Sequence, residues 1–182
     1  MIKTLDSTVL VACDNEITCV NLFEIMTKRY QACIPPEVDA ECRSSQRIDE
    51  FKKNISIFSN SPEKMEESCK YLYERHNKKL GLGEASALVA SILLTQRGVD
   101  NYFVTDDRYA REIAEKIHND EKMKKILGPN IQKIKYTGTI GLILRLRQHG
   151  YITKEMTEKI ADELERGKSF RYTPELLNLL RS

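Results

Sequence analysis

Four sets of acidic residues are the part of this chain able to do chemistry. Asp6 closes the run Ile2-Lys3-Thr4-Leu5, and Asp106 and Asp107 close Tyr102-Phe103-Val104-Thr105. Glu84 follows Gly81-Leu82-Gly83 at the head of a near-apolar stretch. Glu41 stands one helical turn after Val38, behind Pro35-Pro36. In an open parallel sheet, residues beyond the carboxyl ends of the strands share one crevice. Carboxylates gathered there repel strongly in a low-dielectric cleft. A hard divalent cation with oxygen ligands, Mg²⁺ or Mn²⁺, is the simplest way to hold such a cluster ionised. The chemistry indicated is metal-dependent and directed at phosphate.

Each acid also has a plain structural reading. Asp6 and the Asp106-Asp107 pair suit the caps of the helices that follow, a role worth about 1 kcal/mol. Glu84 at a helix start gains from the macrodipole without any function. Glu41 is the weakest member, because residues 37–50 hold several acids that suit a solvated face. The joint pattern favours a site: two strand ends finish in Asp, and an apolar helix begins in Glu.

The elements that must position these residues alternate strand and helix. Residues 2–5 read as a buried strand, Val9–Cys13 and Val20–Tyr30 as helical, and Cys33-Ile34 as a second strand stopped by Pro35-Pro36. Residues 37–53 carry helical spacing, and Ile55–Phe58 alternates at period two. Ser61-Pro62-Glu63 starts a charged helix reaching Lys79, and Glu84–Gln96 is apolar enough for a helix buried on several sides. Asn101–Thr105 is the clearest central strand, Arg108–His118 a helix, and Ile131–Tyr136 a further strand by its alternation. Helices over 139–149, 153–165 and Pro174–Leu180 complete the chain. This order predicts an α/β fold of three layers with a parallel sheet and right-handed crossovers. Residues 1–182 are expected to form one domain, with the helices from about 153 to 182 packed on its core.

Composition narrows the setting. A 182-residue chain that is 41% hydrophobic and 31% charged is an ordinary globular protein, and a net charge of +2 gives no global pull toward nucleic acid. Local basic groups, Arg145 with Arg147 and His149 or Lys122 with Lys124 and Lys125, are the candidates for backbone contacts. No apolar stretch is long enough for a membrane span, and the first residues lack the pattern of a signal peptide. A cytoplasmic location without membrane contact is the expectation. Five cysteines with no CxxC pair read as buried thiols rather than zinc ligands or disulfides. His76, His118 and His149 read as ordinary surface or interface residues.

The chain resembles PIN-domain nucleases, and most closely the archaeal and bacterial subgroup related to VapC-type toxins. The resemblance rests on Leu5-Asp6-Ser7-Thr8-Val9-Leu10, on Ile34-Pro35-Pro36-Glu37-Val38-x-x-Glu41 and on Gly81-x-Gly83-Glu84-Ala85-x-Ala87. It continues through Thr105-Asp106-Asp107-x-x-Ala110-Arg111-x-x-Ala114 and Tyr136-Thr137-Gly138-Thr139-Ile140-Gly141 to the tail Lys168-Ser169-Phe170-Arg171-Tyr172. One departure is the charged segment of Glu63, Lys64, Glu66, Glu67, Arg75, Lys78 and Lys79, where relatives are more aliphatic.

The resemblance implies a PIN-like three-layer fold with four to five parallel strands, and a ribonuclease using one or two Mg²⁺ or Mn²⁺ ions. Its acids fall on Asp6, Glu41, Glu84 and the Asp106-Asp107 pair. Asp6, Glu84 and Asp107 are then the metal ligands, with Asp107 preferred over Asp106 from the Thr-x-Asp spacing. Thr8, Arg111, Thr137 and Thr139 are the substrate-side residues, although Arg111 also suits a salt bridge to Glu115. The implied partners are RNA, an antitoxin that blocks the cleft if the chain is a toxin, and a second copy through the helices around 20–53. The alternative is a non-catalytic PIN-like module that binds RNA or protein. A haloacid-dehalogenase-like phosphatase expects a second Asp where Thr8 stands, and a nucleotide-binding oxidoreductase expects a GxGxxG after the first strand.

Overall fold

Short apolar runs become strands here, and every pairing between them is parallel. The computed structural model describes residues 1–42, 45–58, 62–77, 79–167 and 171–182. Its strands are β1 (Ile2–Leu5), β2 (Gln31–Ile34), β3 (Ser56–Ile57), β4 (Asn101–Val104) and β5 (Tyr136–Thr137), in the order β3-β2-β1-β4-β5. The chain builds outward from β1 to β2 and β3, then returns to the other side of β1 with β4 and β5. The switch point therefore lies between β1 and β4, where Leu5 pairs with Val104. Asp6 extends that pairing by donating its backbone N–H to Val104 O at 3.1 Å.

Helices flank both faces of the sheet, giving the expected three layers. In chain order the first helices are α1 (Ser7–Val11), α2 (Leu22–Arg29), α3 (Pro36–Glu41), α4 (Gln46–Lys52) and α5 (Pro62–Arg75). α1 runs on into a π-helical turn over Ala12–Glu16. Next come α6 (Leu82–Gln96), α7 (Arg108–Lys116) with a 3₁₀ turn Ile117–Asn119, and α8 (Glu121–Leu127). The chain finishes with α9 (Thr139–Gln148), α10 (Lys154–Arg166) and α11 (Pro174–Arg181). α6 is buried through most of its length and packs on α3, α5, α7, β1 and β4, as its apolar composition requires. The last three helices pack on one another, and Leu180 O accepts from both Thr157 Oγ1 at 2.8 Å and Arg147 at 3.1 Å.

Three expectations change. The helical span expected over 37–53 is two helices, because Cys42 turns extended after Glu41 and Ser45 recaps the chain through its bond from Ile48 N at 3.1 Å. The strand expected over Ile131–Tyr136 shrinks to Tyr136–Thr137. Ile131 and Ile134 are both buried at a spacing of three, so the alternation breaks. α8, absent from the sequence reading, forms behind the Asp120 cap. Ser61, Lys78 and Lys168-Ser169-Phe170 lie outside the described residues.

Cys13, Cys33, Cys42 and Cys69 are buried free thiols pushed up by burial, which suits them to packing. Lys3 is a less ordinary core residue. It lies 1% exposed between the rings of Tyr102 (3.9 Å) and Tyr30 (5.0 Å), and burial lowers its pKa to about 8. Among the described residues no helix is long and apolar enough to cross a membrane.

Ser91, in the middle of α6, has a fully buried hydroxyl with no hydrogen-bond partner. Burying an unpaired hydroxyl is unfavourable, and Ala is the better helix former. Ser91→Ala is expected to stabilise the fold by about 1 kcal/mol. Urea unfolding measures it; a variant less stable than the native chain would contradict the unpaired hydroxyl.

Candidate active site

Asp6 follows directly from the centre of the sheet. It is the N-cap of α1, its Oδ1 accepts from Thr8 N at 2.5 Å, and the residue is 0% exposed. Its second oxygen, Oδ2, is buried with no partner. Burial above all pushes the Asp6 carboxyl up to about 7; the nearby Thr105 hydroxyl, which makes no hydrogen bond to Oδ2, and the Thr8 N–H work against it, and the Glu84 carboxylate adds to it.

Glu84 sits at the third residue of α6 and reaches back to the Gly81 N–H, so its capping role is real. Burial, then the Asp107 and Glu41 carboxylates, raises its pKa. Glu41, at the end of α3, is the long-range member. Its Oε1 accepts from Gly83 N at 2.8 Å and its Oε2 from Ser7 Oγ at 3.0 Å. A Cβ on Gly83 would run into that carboxylate, so glycine is what allows Glu41 to lie against the first turn of α6.

The Asp106-Asp107 pair divides. Asp107 caps α7 through Ala110 N at 2.6 Å and is the first neighbouring charge acting on Glu84. Asp106 is 8% exposed and fully engaged. It accepts from Thr139 N at 2.7 Å, Thr139 Oγ1 at 2.5 Å and the Tyr172 hydroxyl at 2.8 Å. Burial and the Asp106 charge push the Tyr172 phenol far up, which keeps it a donor.

The other residues named from sequence fall around this division. Thr8 Oγ1 accepts from Asp106 N at 3.1 Å, and Arg111 donates to Asp106 O at 3.4 Å rather than to Glu115. Thr137 sits under α9, where Gly141 leaves room for its hydroxyl. Arg111, Thr137 and Asp106 line a cavity of about 240 Å³ with Arg171 and Tyr172. Arg145 is engaged with the Tyr102 hydroxyl at 3.0 Å, and Lys124 with Glu121 at 2.7 Å.

Sequence reasoning gave no role to Ser7, Arg171 or Tyr172. Arg171 pairs with Glu16 on the π-helical turn and donates to Thr8 O at 3.3 Å. Its only signal was the Arg171-Tyr172 tail.

The donor chemistry fits a hard cation, since the cluster is all carboxylate oxygen and Asp6 Oδ2 is a buried acceptor with no donor. Among the described residues, however, no three His, Cys, Asp or Glu side chains converge closely enough to hold an ion. Glu84 and Glu41 are each turned onto a backbone N–H.

Neither a curated protein nor a solved structure gives a match to this chain. A family model described as the PIN domain matches residues 4–182, from the middle of β1 to the end of α11. Together with the parallel sheet and the acids at its switch point, that match makes the chain a member of the PIN-domain family.

Proposed function

We propose that this protein is a divalent-cation-dependent ribonuclease that hydrolyses RNA phosphodiester bonds in the cleft beyond β1 and β4. PIN domains are generally metal-dependent nucleases. The observation that carries the reading is Asp6: a fully buried carboxylate with an unpartnered oxygen, raised by burial and by Glu84. Such a group is unfavourable in a structural role alone, and strained carboxylates of this kind mark functional sites.

Asp6, Glu84 and Asp107 are the residues that would hold Mg²⁺ or Mn²⁺, drawing closer together than they stand here, with Glu41 completing the acidic set. The chemistry a bound ion supplies is a more acidic water and neutralised charge on the phosphate. Asp106 anchors the wall of the cleft through Thr139 and Tyr172. Thr8 holds the Asp106 backbone, while Arg111 and Thr137 face the cavity where a phosphate would be gripped. A toxin role, an antitoxin partner and a homodimer rest on the resemblance alone.

The test is cleavage of a panel of single-stranded and structured RNAs with Mg²⁺, Mn²⁺ or EDTA. Products with 5′-phosphate and 3′-hydroxyl ends, lost in EDTA, are expected. No cleavage under any condition, with no metal bound by calorimetry, would sink the reading.

Gly83→Ala offers a finer check. The added methyl displaces Glu41 from its bond to the α6 backbone. Cleavage is expected to fall about tenfold, as for loss of a group supporting a metal site. The helix itself gains about 0.5–1 kcal/mol from Ala, so the variant should melt no lower than the native protein. Native activity in Gly83→Ala would remove Glu41 from the site.

A further inference from the structure

Asp6 and Asp107 stand just past the end of the ladder that would fix them. The β1–β4 register ends at Leu5 on Val104, and the bond from Asp6 N to Val104 O is its last rung. Beyond it, β1 turns into α1, and β4 runs through Thr105 and Asp106 to α7. A metal centre needs its oxygen ligands held to within about 0.5 Å. The two acids therefore need a further constraint where their chains leave the sheet.

One dipeptide supplies it from the far end of the chain. On the β4 side, the Tyr172 hydroxyl donates to Asp106 Oδ2 at 2.8 Å. On the β1 side, Arg171 donates to Thr8 O at 3.3 Å. The two grips meet through Thr8. Its N–H donates to Asp6 Oδ1 at 2.5 Å, and its Oγ1 accepts from Asp106 N at 3.1 Å. A single residue thus bridges the Asp6 carboxylate and the Asp106 backbone, and adjacent side chains of the tail hold that residue and Asp106. Both grips are anchored in turn. Tyr172 is buried, and the Arg171 guanidinium pairs with Glu16 on the π-helical turn. Away from water such bonds are strong and mutually reinforcing. Asp107 follows Asp106 directly, so the place where Tyr172 fixes Asp106 governs where the Asp107 main chain begins.

We propose that Arg171 and Tyr172 form a positioning clamp across the ends of β1 and β4, which sets the Asp6–Asp107 spacing and with it the affinity for the divalent cation. Neither residue touches the ion. Groups that orient metal ligands from behind govern about 10–100-fold in metal affinity. The inference rests on the metal-dependent reading above and adds two residues that act through Asp106 and Thr8.

The test is Mn²⁺ binding by calorimetry to the full metal-free chain, beside melting in EDTA and RNA cleavage over a Mn²⁺ series. Tyr172→Phe keeps the ring and removes only the hydroxyl. It is expected to bind Mn²⁺ about tenfold more weakly and to need about tenfold more Mn²⁺ for half-maximal cleavage. Arg171→Lys keeps a cation beside Glu16 but gives up the planar fork that also reaches Thr8 O, and should weaken binding severalfold. Glu163→Ala is the control. It removes another tie between the C-terminal helices and the body, the bonds from Thr18 and Cys19, and touches neither strand end. It should lower the melting temperature and leave Mn²⁺ affinity unchanged. Native Mn²⁺ affinity in folded Tyr172→Phe and Arg171→Lys would overturn the clamp, as would an equal loss of affinity in Glu163→Ala. Metal-dependent cleavage by the native protein would keep the ribonuclease reading in either case. A native chain that neither bound Mn²⁺ nor cut RNA would remove both.

Discussion

Asp6→Asn is expected to abolish RNA cleavage while making the metal-free protein more stable above pH 7. The carboxyl is fully buried and its pKa stands at about 7, against an ordinary value of 3.8. Below about pH 4 it is neutral in both folded and unfolded chains and imposes no penalty. As pH rises from 4 to 7 the unfolded chain releases this proton and the folded chain retains it, so stability falls. Above pH 7 the loss is complete, about 4 kcal/mol for a difference of this size. Asn keeps the bond from Thr8 N but leaves an amide N–H₂ where Oδ2 has no partner, which returns part of the gain. A net stabilisation of about 2 kcal/mol at pH 8 follows, or about 4–8 °C in Tm for a chain of this size. Melting both proteins in EDTA at pH 4 and pH 8 checks it. A difference that did not grow with pH would mean that Asp6 is not held as the buried site requires. Added Mn²⁺ should raise the Tm of the native protein only, since a ligand stabilises the state that binds it.

Asp106→Ala is expected to damage the fold far more than Asp107→Ala, with the roles reversed for catalysis. Asp106 accepts three hydrogen bonds, from Thr139 N, Thr139 Oγ1 and Tyr172. Removing it leaves those donors buried and unpaired, at a loss of about 3–5 kcal/mol. Asp107 gives only its cap bond to Ala110 N, worth about 1 kcal/mol. Its position beside Glu84 makes it the member of the doublet expected to be needed for cleavage, so Asp107→Ala should be well folded and inactive. Urea unfolding and RNA cleavage, run on both variants, decide between them. A stable, inactive Asp106→Ala beside an active Asp107→Ala would exchange the two roles.

What was legible in the sequence follows the range of the forces involved. β1 and β4 were read nearly to the residue, because a buried parallel strand must be an apolar run and an Asp follows shortly after each. α6 was legible from its unbroken small and apolar composition. Asp6, Glu84 and Asp107 could be placed because each stands at a local boundary, a strand end or a helix start. Glu41 was hard to single out for the opposite reason: its partners, Ser7 and Gly83, lie 34 and 42 residues away. Within the Asp106-Asp107 doublet the Thr-x-Asp spacing favoured Asp107, but the engagement of Asp106 was not legible locally. Its partners Thr139 and Tyr172 approach from other parts of the chain. The short β5 was overextended because Ile131 and Ile134 follow the core around a bend that alternation does not describe.

The strand order also constrains when the cleft can exist. β1 is made first, yet its partner β4 lies a hundred residues later, with Ile2 registered on Asn101. Until that segment is available, one edge of the central strand is an open apolar ladder, and the sheet cannot close by local steps. Such long sequence separation slows folding and leaves early chains prone to association. The wall that Asp106 anchors waits longer still, because its Tyr172 partner comes 66 residues further on. The acidic residues at β1 and β4 and the wall held by Asp106 are therefore assembled only from segments far apart in sequence.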